Sequence, residues 1–415
     1  MKPGIRSVAE GAALRIRILH TFFHPDKSAV SQILTDLAFH LAQQGHHVEV
    51  IASRGNYEGG QKLPRRETIQ GVLIRRIWSP SWGKKSILSR LADLGSYAVG
   101  STAKAFFSRR VDRVIVLTNP PMYALVARWL GLLRREPYTY IVMDLYPDIS
   151  VQAGMLSPGS LLTRLARGLT RSALRHAHEV VVLGDCMAQA IRNYGVGPER
   201  IRVIQNWSDD ENVLPLPPGE NPLRAQLGFT DEFVVMYSGN MGVAHHFQDI
   251  LQVARDLRGR KDIRFLFVGG GVRRRDVEAF RDEHQLDNVI VRGYFPRDQL
   301  TYSLPVGDAH FVSLREGFQG LVVPSKTYGA MAAGRPILYQ GSQAGEIARM
   351  LREEGGGLVI PEGDPTALKE AILRWADDRQ GAALVGRQAR DVFSRHYTKA
   401  IGLRKYADLL RETRP

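Results

Sequence analysis

Short apolar runs alternate with helical patterns along almost all of this 415-residue chain, and that rhythm restricts the possible fold more than any other feature. The apolar runs fall at residues 15–20, 47–52, 72–78, 113–118, 139–145, 180–184 and 201–205, and again at 233–238, 264–269, 288–293, 309–314, 336–341 and 357–361. Between them apolar side chains recur at helical spacing, as at Val30, Ile33, Leu34, Leu37, Ala38 and Leu41 before Gly45. Strands that alternate with helices predict an α/β protein whose parallel sheets are covered on both faces.

The segment 206–223, NWSDDENVLPLPPGENPL, interrupts this rhythm with prolines and acidic residues, so we interpret it as a linker. The chain also exceeds the usual length for a single hydrophobic core. We therefore expect two doubly wound, Rossmann-like domains, at residues 14–205 and 224–397, that face a cleft. The C-terminal helix at 398–415 is expected to pack back on the first domain.

The formal net charge of +14 lies entirely in the first half of the chain. Residues 1–206 hold 28 Lys and Arg against 14 Asp and Glu, whereas residues 207–415 hold 28 of each. This asymmetry indicates an anionic partner for the first half: nucleic acid, anionic lipid headgroups or a pyrophosphate-bearing substrate. The alternative is an Arg-rich surface without a dedicated partner.

A basic stripe narrows these choices. Arg164, Arg167, Arg171 and Arg175 recur at three- and four-residue intervals in a leucine-rich segment, and residues 84–110 add a second basic, partly apolar stretch. Basic amphipathic helices bind anionic membrane surfaces, although a solvated helix face gives the same pattern. The basic residues lack interleaved aromatics and a nucleic-acid module, so no nucleic acid partner is expected.

The sequence predicts neither a membrane span nor a metal site. The most apolar stretch, 114–133, is broken by Asn119, Pro120, Pro121 and Arg128. The His46–His47 and His245–His246 pairs have no accompanying cysteine or carboxylate cluster. A single cysteine, Cys186, fits a reducing compartment. We expect a cytoplasmic protein, peripheral on the inner face of the plasma membrane.

Three phosphate-compatible turns are predicted at one edge of the second sheet. YSGNMG supplies Gly239, Asn240 and Gly242, and the turn after the next strand supplies Gly270. Ser325 and Lys326, in LVVPSKTYGAMAAGRP, stand where a strand gives way to a short helix at 326–333. Backbone N–H groups and a lysine at such a turn are suited to a phosphate. The alternative is a solvated Lys326 beside small residues that serve close packing.

Several motifs in one order resemble the GT-B glycosyltransferases of family 4, group 1, in their WbuB-like branch. In the second half they are YSGNMG, VGGG, RGYFPRDQL, PSKTYGAMAAGRPIL and GGLVIPEGDPTAL. In the first half they are HPDKSAVSQILTDLAFHLAQQGHHVEVIAS, DLYPDISVQAGML and IRVIQNWSD. The resemblance covers nearly the whole chain from Leu14. It implies retaining, metal-independent transfer of a sugar from a nucleotide diphosphate, with no further cofactor.

The sequence departs from this family's pattern at its glutamate pair. The position of the second glutamate holds Gly329, and Glu316 resembles the first but stands farther from the helix. The Arg and Lys that usually follow the glycine turn are replaced by Asn240 and by His245 or His246. We therefore expect Lys326 to contact the pyrophosphate and Glu346 to contact a donor hydroxyl.

Two aspartates at the end of the strand at 139–145 are the candidates on the acceptor side. Asp144 or Asp148 would accept the proton of the incoming hydroxyl or orient the sugar, and Glu316 completes the catalytic candidates. Asp148 as a helix N-cap is the alternative.

The favoured hypothesis is a hexosyl- or N-acetylhexosaminyl-type glycosyltransferase with a nucleotide sugar as donor. Its expected acceptor is a lipid-pyrophosphate-linked saccharide in surface polysaccharide, O-antigen or exopolysaccharide biosynthesis. A nucleotide-sugar epimerase of the same fold, a non-enzymatic protein that binds membrane or RNA, and a catalytically inactive relative remain alternatives.

Overall fold

The computed structural model describes residues 13–26, 28–55, 63–78, 87–118, 123–296 and 299–412, without the side chains of residues 87–94. These residues form two α/β domains, each built on one twisted sheet with helices on both faces. The chain enters the second domain after residue 205 and returns to the first through its last helix.

The first domain contains an eight-stranded sheet in the order β3-β4-β2-β1-β5-β6-β7-β8. Its strands are β1 (Arg15–Leu19), β2 (His47–Ser53), β3 (Arg66–Ile69), β4 (Val72–Ile77), β5 (Arg113–Leu117), β6 (Tyr138–Ile141), β7 (Glu179–Val182) and β8 (Ile201–Val203). Its helices are α1 (Ala29–Gln43), α2 (Ile87–Phe106), α3 (Tyr123–Arg134), α4 (Asp148–Gln152), α5 (Leu161–His176) and α6 (Asp185–Asn193). The strands pair in parallel except for β3, which runs antiparallel to β4.

The second domain contains a six-stranded, all-parallel sheet in the order β11-β10-β9-β12-β13-β14. Its strands are β9 (Phe233–Ser238), β10 (Ile263–Val268), β11 (Val289–Arg292), β12 (Ala309–Leu314), β13 (Ile337–Gly341) and β14 (Gly357–Ile360). Its helices are α7 (Pro222–Gln226), α8 (Gln248–Asp256), α9 (Arg274–Glu283), α10 (Leu300–Ser303), α11 (Lys326–Ala332), α12 (Glu346–Glu354), α13 (Pro365–Asp377) and α14 (Arg379–His396).

The sheet differs from the sequence prediction at two strands. β3 was not predicted because RETI holds one apolar residue and lies exposed at the sheet edge, where no buried run is needed. β6 ends at Ile141, earlier than expected. Beyond it the N–H groups of Met143 and Asp144 donate to the Thr118 hydroxyl, and that of Leu145 donates to Leu321 O of the second domain at 2.9 Å.

Two crossings of the chain join the domains side by side. Trp207, on the outward crossing, donates from Nε1 to Asp36 of α1 at 3.1 Å. The return crossing leads into α15 (Lys399–Glu412), which packs on α1 and adds Leu403, Tyr406, Leu409 and Leu410 to the core of the first domain. Ser208 pairs with Thr398 where the two crossings meet.

Candidate functional site

Two glycine turns interlock at the carboxyl ends of β9 and β10. Gly239 donates its N–H to Val268 O at 2.9 Å, and Met241 donates to Gly270 O at 2.7 Å. Gly239 and Gly269 have backbone φ angles of 139° and 135°, which residues other than glycine rarely adopt. A Cβ on Gly269 would clash with the Gly239 carbonyl oxygen. The two backbones therefore approach as closely as glycine alone allows.

Lys326 lies directly beside these turns, as the first residue of α11. A Cβ added at Gly239 would lie 3.2 Å from Lys326 Cε. The Lys326 side chain is partly buried, and its Nζ lies 3.0 Å from His245 Nε2 and 5.1 Å from the centre of the Tyr237 ring. Loss of hydration lowers the pKa of Lys326 to about 7. The expected phosphate turn and the expected lysine are thus one site.

His245 has a defined tautomer in this site. Its Nδ1 lies 2.6 Å from Ser313 O, and a carbonyl only accepts, so Nδ1 carries the proton and Nε2 presents a lone pair to Lys326. Burial, and then the charge of Lys326, lowers the pKa of His245 to about 3. The imidazole is therefore neutral at physiological pH.

The other predicted donor-side residues surround this centre. Asn240 is exposed; its carbonyl accepts from the Tyr237 hydroxyl at 2.8 Å and its side-chain Nδ2 lies beside Gly242. Gly270 lies beneath the Tyr294 ring. Ser325 is the exposed N-cap of α11 and makes no side-chain cap.

Gly329 is buried in α11, beside the Leu304 side chain. A Cβ at this position would already lie 3.1 Å from Leu304 Cδ1. A carboxylate side chain would need this packing to change. A carboxylate at the position of the family's second glutamate is therefore absent from this chain.

Asp144 lies where the two domains touch. Its backbone forms an isolated antiparallel bridge with Val322, in the loop between β12 and α11. Loss of hydration raises the pKa of its carboxyl group to about 6. Asp144 therefore changes charge close to neutral pH beside the loop that leads to Lys326.

Asp148 is held in a separate cluster. Its Oδ1 accepts from Arg167 Nε at 3.0 Å and from the terminal Nη2 at 2.8 Å, and its Oδ2 accepts from the Tyr194 hydroxyl. The N-cap interpretation of Asp148 is wrong, because Pro147 occupies the N-cap of α4 and Asp148 is the first helical residue. The carboxylate instead ties α4 to α5 and α6.

Glu316 is exposed after β12, and its backbone N–H donates to Glu362 Oε2 at 2.5 Å. Among the described residues, the Glu316 carboxylate has no hydrogen-bond or ion-pair partner, so the structure fixes the loop at Glu316 more firmly than its side chain. The neighbouring Gly317 lies against Gln152 of α4, which places this loop at the domain contact.

Glu346 contacts the first domain. Its Oε2 accepts from the backbone N–H of Asp185 at 2.9 Å and of Cys186 at 3.4 Å, at the amino end of α6. Arg349 joins the Glu346 carboxylate at 3.0 Å to that of Asp185 at 2.5 Å. A contact between Glu346 and a donor hydroxyl would require the carboxylate to exchange these partners.

The structure thus brings Gly239, Asn240, Gly242, Gly270 and Lys326 together and places Asp144 and Glu346 at the domain contact. Sequence reasoning missed the pairing of His245 with Lys326 and the contact of Glu346 with α6. No local pattern signals either one, since the partners lie 81 and about 160 residues apart.

In the described part of the chain, no helix combines the length and apolar character needed to cross a membrane. Across the same residues, no group of three or more His, Cys, Asp or Glu side chains is arranged to hold a metal ion.

Two Rossmann-like domains that meet along the carboxyl ends of their strands, with glycine turns on one side, define the GT-B class. The family model described as "Glycosyl transferase 4-like domain" matches residues 28–207. The model described as "Glycosyl transferases group 1" matches residues 232–378. The chain belongs to the GT-B glycosyltransferases of family 4, group 1.

Similar proteins agree with this assignment. WbjE of Pseudomonas aeruginosa, named as a glycosyltransferase, is 29% identical over 80% of this chain and 82% of its own. WcaI of Escherichia coli K12, named as a colanic acid biosynthesis glycosyl transferase, is 25% identical over 88% and 92%. The structure of Anabaena HepE with UDP and glucose superposes with a TM-score of 0.72 at 17% identity, over 96% of this chain and all of that one. This last likeness shows the shared fold.

Proposed function

We propose that this glycosyltransferase transfers a sugar, with retention of configuration and without a metal ion, from a nucleotide diphosphate to a lipid-linked saccharide. The observation that carries the proposal is the position of Lys326 beside the interlocked glycine turns. Close backbone approach and a lysine suit a diphosphate. The leaving diphosphate gains negative charge in the transition state, so a fixed cation stabilises that state more than the ground state.

Two of the similar proteins support the choice of substrates. The HepE structure contains UDP and glucose, and the name of WcaI refers to colanic acid biosynthesis. We propose by analogy a hexosyl or N-acetylhexosaminyl donor and a role in surface polysaccharide assembly. Glu346 remains our proposed contact for a donor hydroxyl.

A panel of UDP-, GDP-, ADP- and dTDP-sugars tests the reaction. Nucleotide release that depends on a lipid-linked saccharide extract, persists in EDTA and gives a product with the donor's anomeric configuration is the expected result. Epimerised nucleotide sugar without any acceptor would identify the epimerase alternative. Failure of every donor to release nucleotide with any acceptor extract would contradict the proposal.

Asp144 is expected to give the reaction its dependence on acid pH. The pKa of Asp144 is raised to about 6, so the carboxylate is the minor form at lower pH. The kcat/KM of the wild type should therefore decrease as the pH is lowered below about 6. Asp144→Asn should lower kcat/KM at least about tenfold and abolish this acid limb. The measurement is the pH profile of nucleotide release.

Asp148→Asn is the matched control for Asp144. Its carboxylate is engaged by Arg167 and Tyr194, so this variant should lose thermal stability and keep the acid limb. An unchanged acid limb in Asp144→Asn would assign the titration to another group.

An exposed apolar surface on the first domain supports membrane binding. We call it the α3–α5 face, since α3 packs against α5 and both helices point large apolar side chains outward. These are Trp129, Leu132, Leu133, Leu161, Leu162 and Leu165, each at least 58% exposed. Arg164 and Arg171 are exposed on the same helix as the leucines. Part of the predicted basic stretch at 84–110 lies outside the described residues.

The composition of this face fits an anionic bilayer. Apolar side chains enter the boundary between headgroups and acyl chains while arginines contact the headgroup phosphates. Of the four predicted stripe arginines, Arg167 is engaged by Asp148, whereas Arg164, Arg171 and Arg175 are exposed and remain candidates for lipid contact.

Flotation with anionic and neutral liposomes tests the α3–α5 face. The wild type should float with anionic vesicles at low salt, and Arg164→Ser with Arg171→Ser should weaken binding about 30-fold, at about 1 kcal/mol per arginine. Arg275→Ser with Arg387→Ser, two exposed arginines of the second domain, should float as the wild type does. Equal loss in both double variants would contradict a dedicated face.

A further inference from the structure

The partner of Lys326 is unusual for a lysine at an anion site. Its Nζ contacts the neutral imidazole of His245 at 3.0 Å and the face of the Tyr237 ring at 5.1 Å. The His245 ring is buried, and its Nδ1–H is committed to Ser313 O at 2.6 Å. The lone pair of Nε2 therefore points at Lys326 in a fixed direction.

An imidazole lone pair and a carboxylate differ in how strongly they favour the protonated form of the lysine. An ammonium group and a neutral amine both carry N–H bonds, so Lys326 can donate to His245 Nε2 in either protonation state. A carboxylate would favour the charged lysine and would repel an incoming diphosphate. His245 thus fixes the position of Nζ and favours the charged form of Lys326 less strongly than a carboxylate would.

We infer that His245 positions Lys326 so that donor binding is coupled to protonation: Nζ takes up a proton as the diphosphate binds and releases it as the diphosphate leaves. The inference rests on the proposed donor site. No bond other than N–H changes, and the proton comes from the solvent and returns to it. His245 acts through Lys326 and is a positioning residue.

The charges around Lys326 agree with this coupling. Loss of hydration lowers its pKa to about 7, so the free protein holds a mixture of amine and ammonium near neutral pH. Tyr237 stays a neutral phenol because burial raises its pKa. A diphosphate placed against Nζ would add negative charge and raise the lysine pKa again.

The remaining charged groups of the packed elements have contacts of their own. Arg315, after β12, approaches Val243 O at 3.4 Å. Glu316 and Glu362 belong to the loop contact described above, and His246 lies between Asp249 and Glu362. Tyr339 on β13 stays neutral because burial raises its pKa, and Arg390 of α14 donates to Ala332 O at the other end of α11.

The coupling has a definite sign. Donor affinity should be greatest where Lys326 is already charged and should fall as pH rises through the pKa of the free protein. The limiting slope is about tenfold per pH unit, since one proton is taken up for each ligand bound. One unit above that pKa, binding should take up about 0.9 proton.

Calorimetric titration of the full-length protein with inorganic pyrophosphate tests this directly. Binding heats at about pH 8 are measured in buffers of different ionisation enthalpy, and their difference gives the number of protons taken up. Lys326→Arg, charged throughout this range, is the matched control and corrects for the protonation of pyrophosphate itself. Close to one more proton per site in the wild type than in Lys326→Arg is the expected result.

Two His245 variants test the positioning role. His245→Gln retains an acceptor, so its pH profile of affinity should stay near that of the wild type. His245→Leu removes the acceptor, so the fall in affinity should begin at lower pH, beyond any uniform loss. Thermal denaturation without ligand checks that both variants fold, and a uniform loss in both, with no change in the profile, would overturn the role of His245.

The outcomes separate this inference from the proposed function. Equal proton uptake in wild type and Lys326→Arg, or no binding of pyrophosphate, overturns the inference. Acceptor-dependent release of nucleotide would leave the proposed function standing in either case. Absence of that release, with proton-linked binding of pyrophosphate intact, would overturn the function and keep the coupled site.

Discussion

Lys326→Met is expected to lower kcat about 10²-fold, because a preorganised charge beside the leaving diphosphate is removed. Methionine keeps the length and much of the volume of the lysine stem, so α11 should keep its packing against β12 and β13. The charge that develops on the diphosphate would then be met by backbone N–H groups alone. The measurement is kcat for nucleotide release at saturating donor.

Lys261→Met is the matched control for this prediction. Lys261 is an exposed lysine of the same domain that pairs with Asp287 at 2.8 Å, away from the glycine turns. Its replacement should leave kcat near the wild-type value. Similar turnover in Lys326→Met and Lys261→Met would remove Lys326 from the reaction and favour the surface-lysine interpretation.

Gly269→Ala is expected to raise the donor KM about 30-fold or more. The φ angle of 135° at Gly269 belongs to a region that is essentially confined to glycine, with a cost of about 1–3 kcal/mol for other residues. The added methyl group also meets the Gly239 carbonyl oxygen. The two turns would have to separate, and the backbone N–H groups offered to the diphosphate would move with them.

Gly270→Ala separates this effect from a general loss of stability. At that position the nearest atom to an added Cβ is Tyr294 Cε2, at an ordinary contact distance of 3.6 Å. Its donor KM should remain within a few fold of the wild type. A small effect of Gly269→Ala on KM, with thermal stability unchanged, would show that the interlocked turns do not hold the donor.

The fold was predictable because its signals are local. Each buried strand contains a short apolar run that the sequence pattern detects. β3 was not predicted because it holds only one apolar residue. The parallel order follows from the helical stretch between successive strands. Elements defined by neighbouring residues in the chain can therefore be predicted from the sequence pattern.

The candidate site was predictable only in part, because its decisive contacts are not local. Lys326 and the glycine turns could be placed at one sheet edge by topology. The tautomer of His245 depends on Ser313, 68 residues away, and the position of Glu346 depends on the amino end of a helix in the other domain. The sequence suggests Asp148 as an acceptor-side catalytic residue or a helix N-cap, whereas in the structure its carboxylate is engaged by Arg167 and Tyr194.

Two adjacent backbone segments connect the domains, so we expect them to act together as one hinge. The two segments pair at Ser208 and Thr398, so we expect them to resist twisting of one domain against the other more than a single segment would. Trp207 anchors the first segment on the first domain, and α15 anchors the second. Severing the backbone near residue 398 should therefore loosen the orientation of the second domain toward the first without changing a residue of the glycine turns.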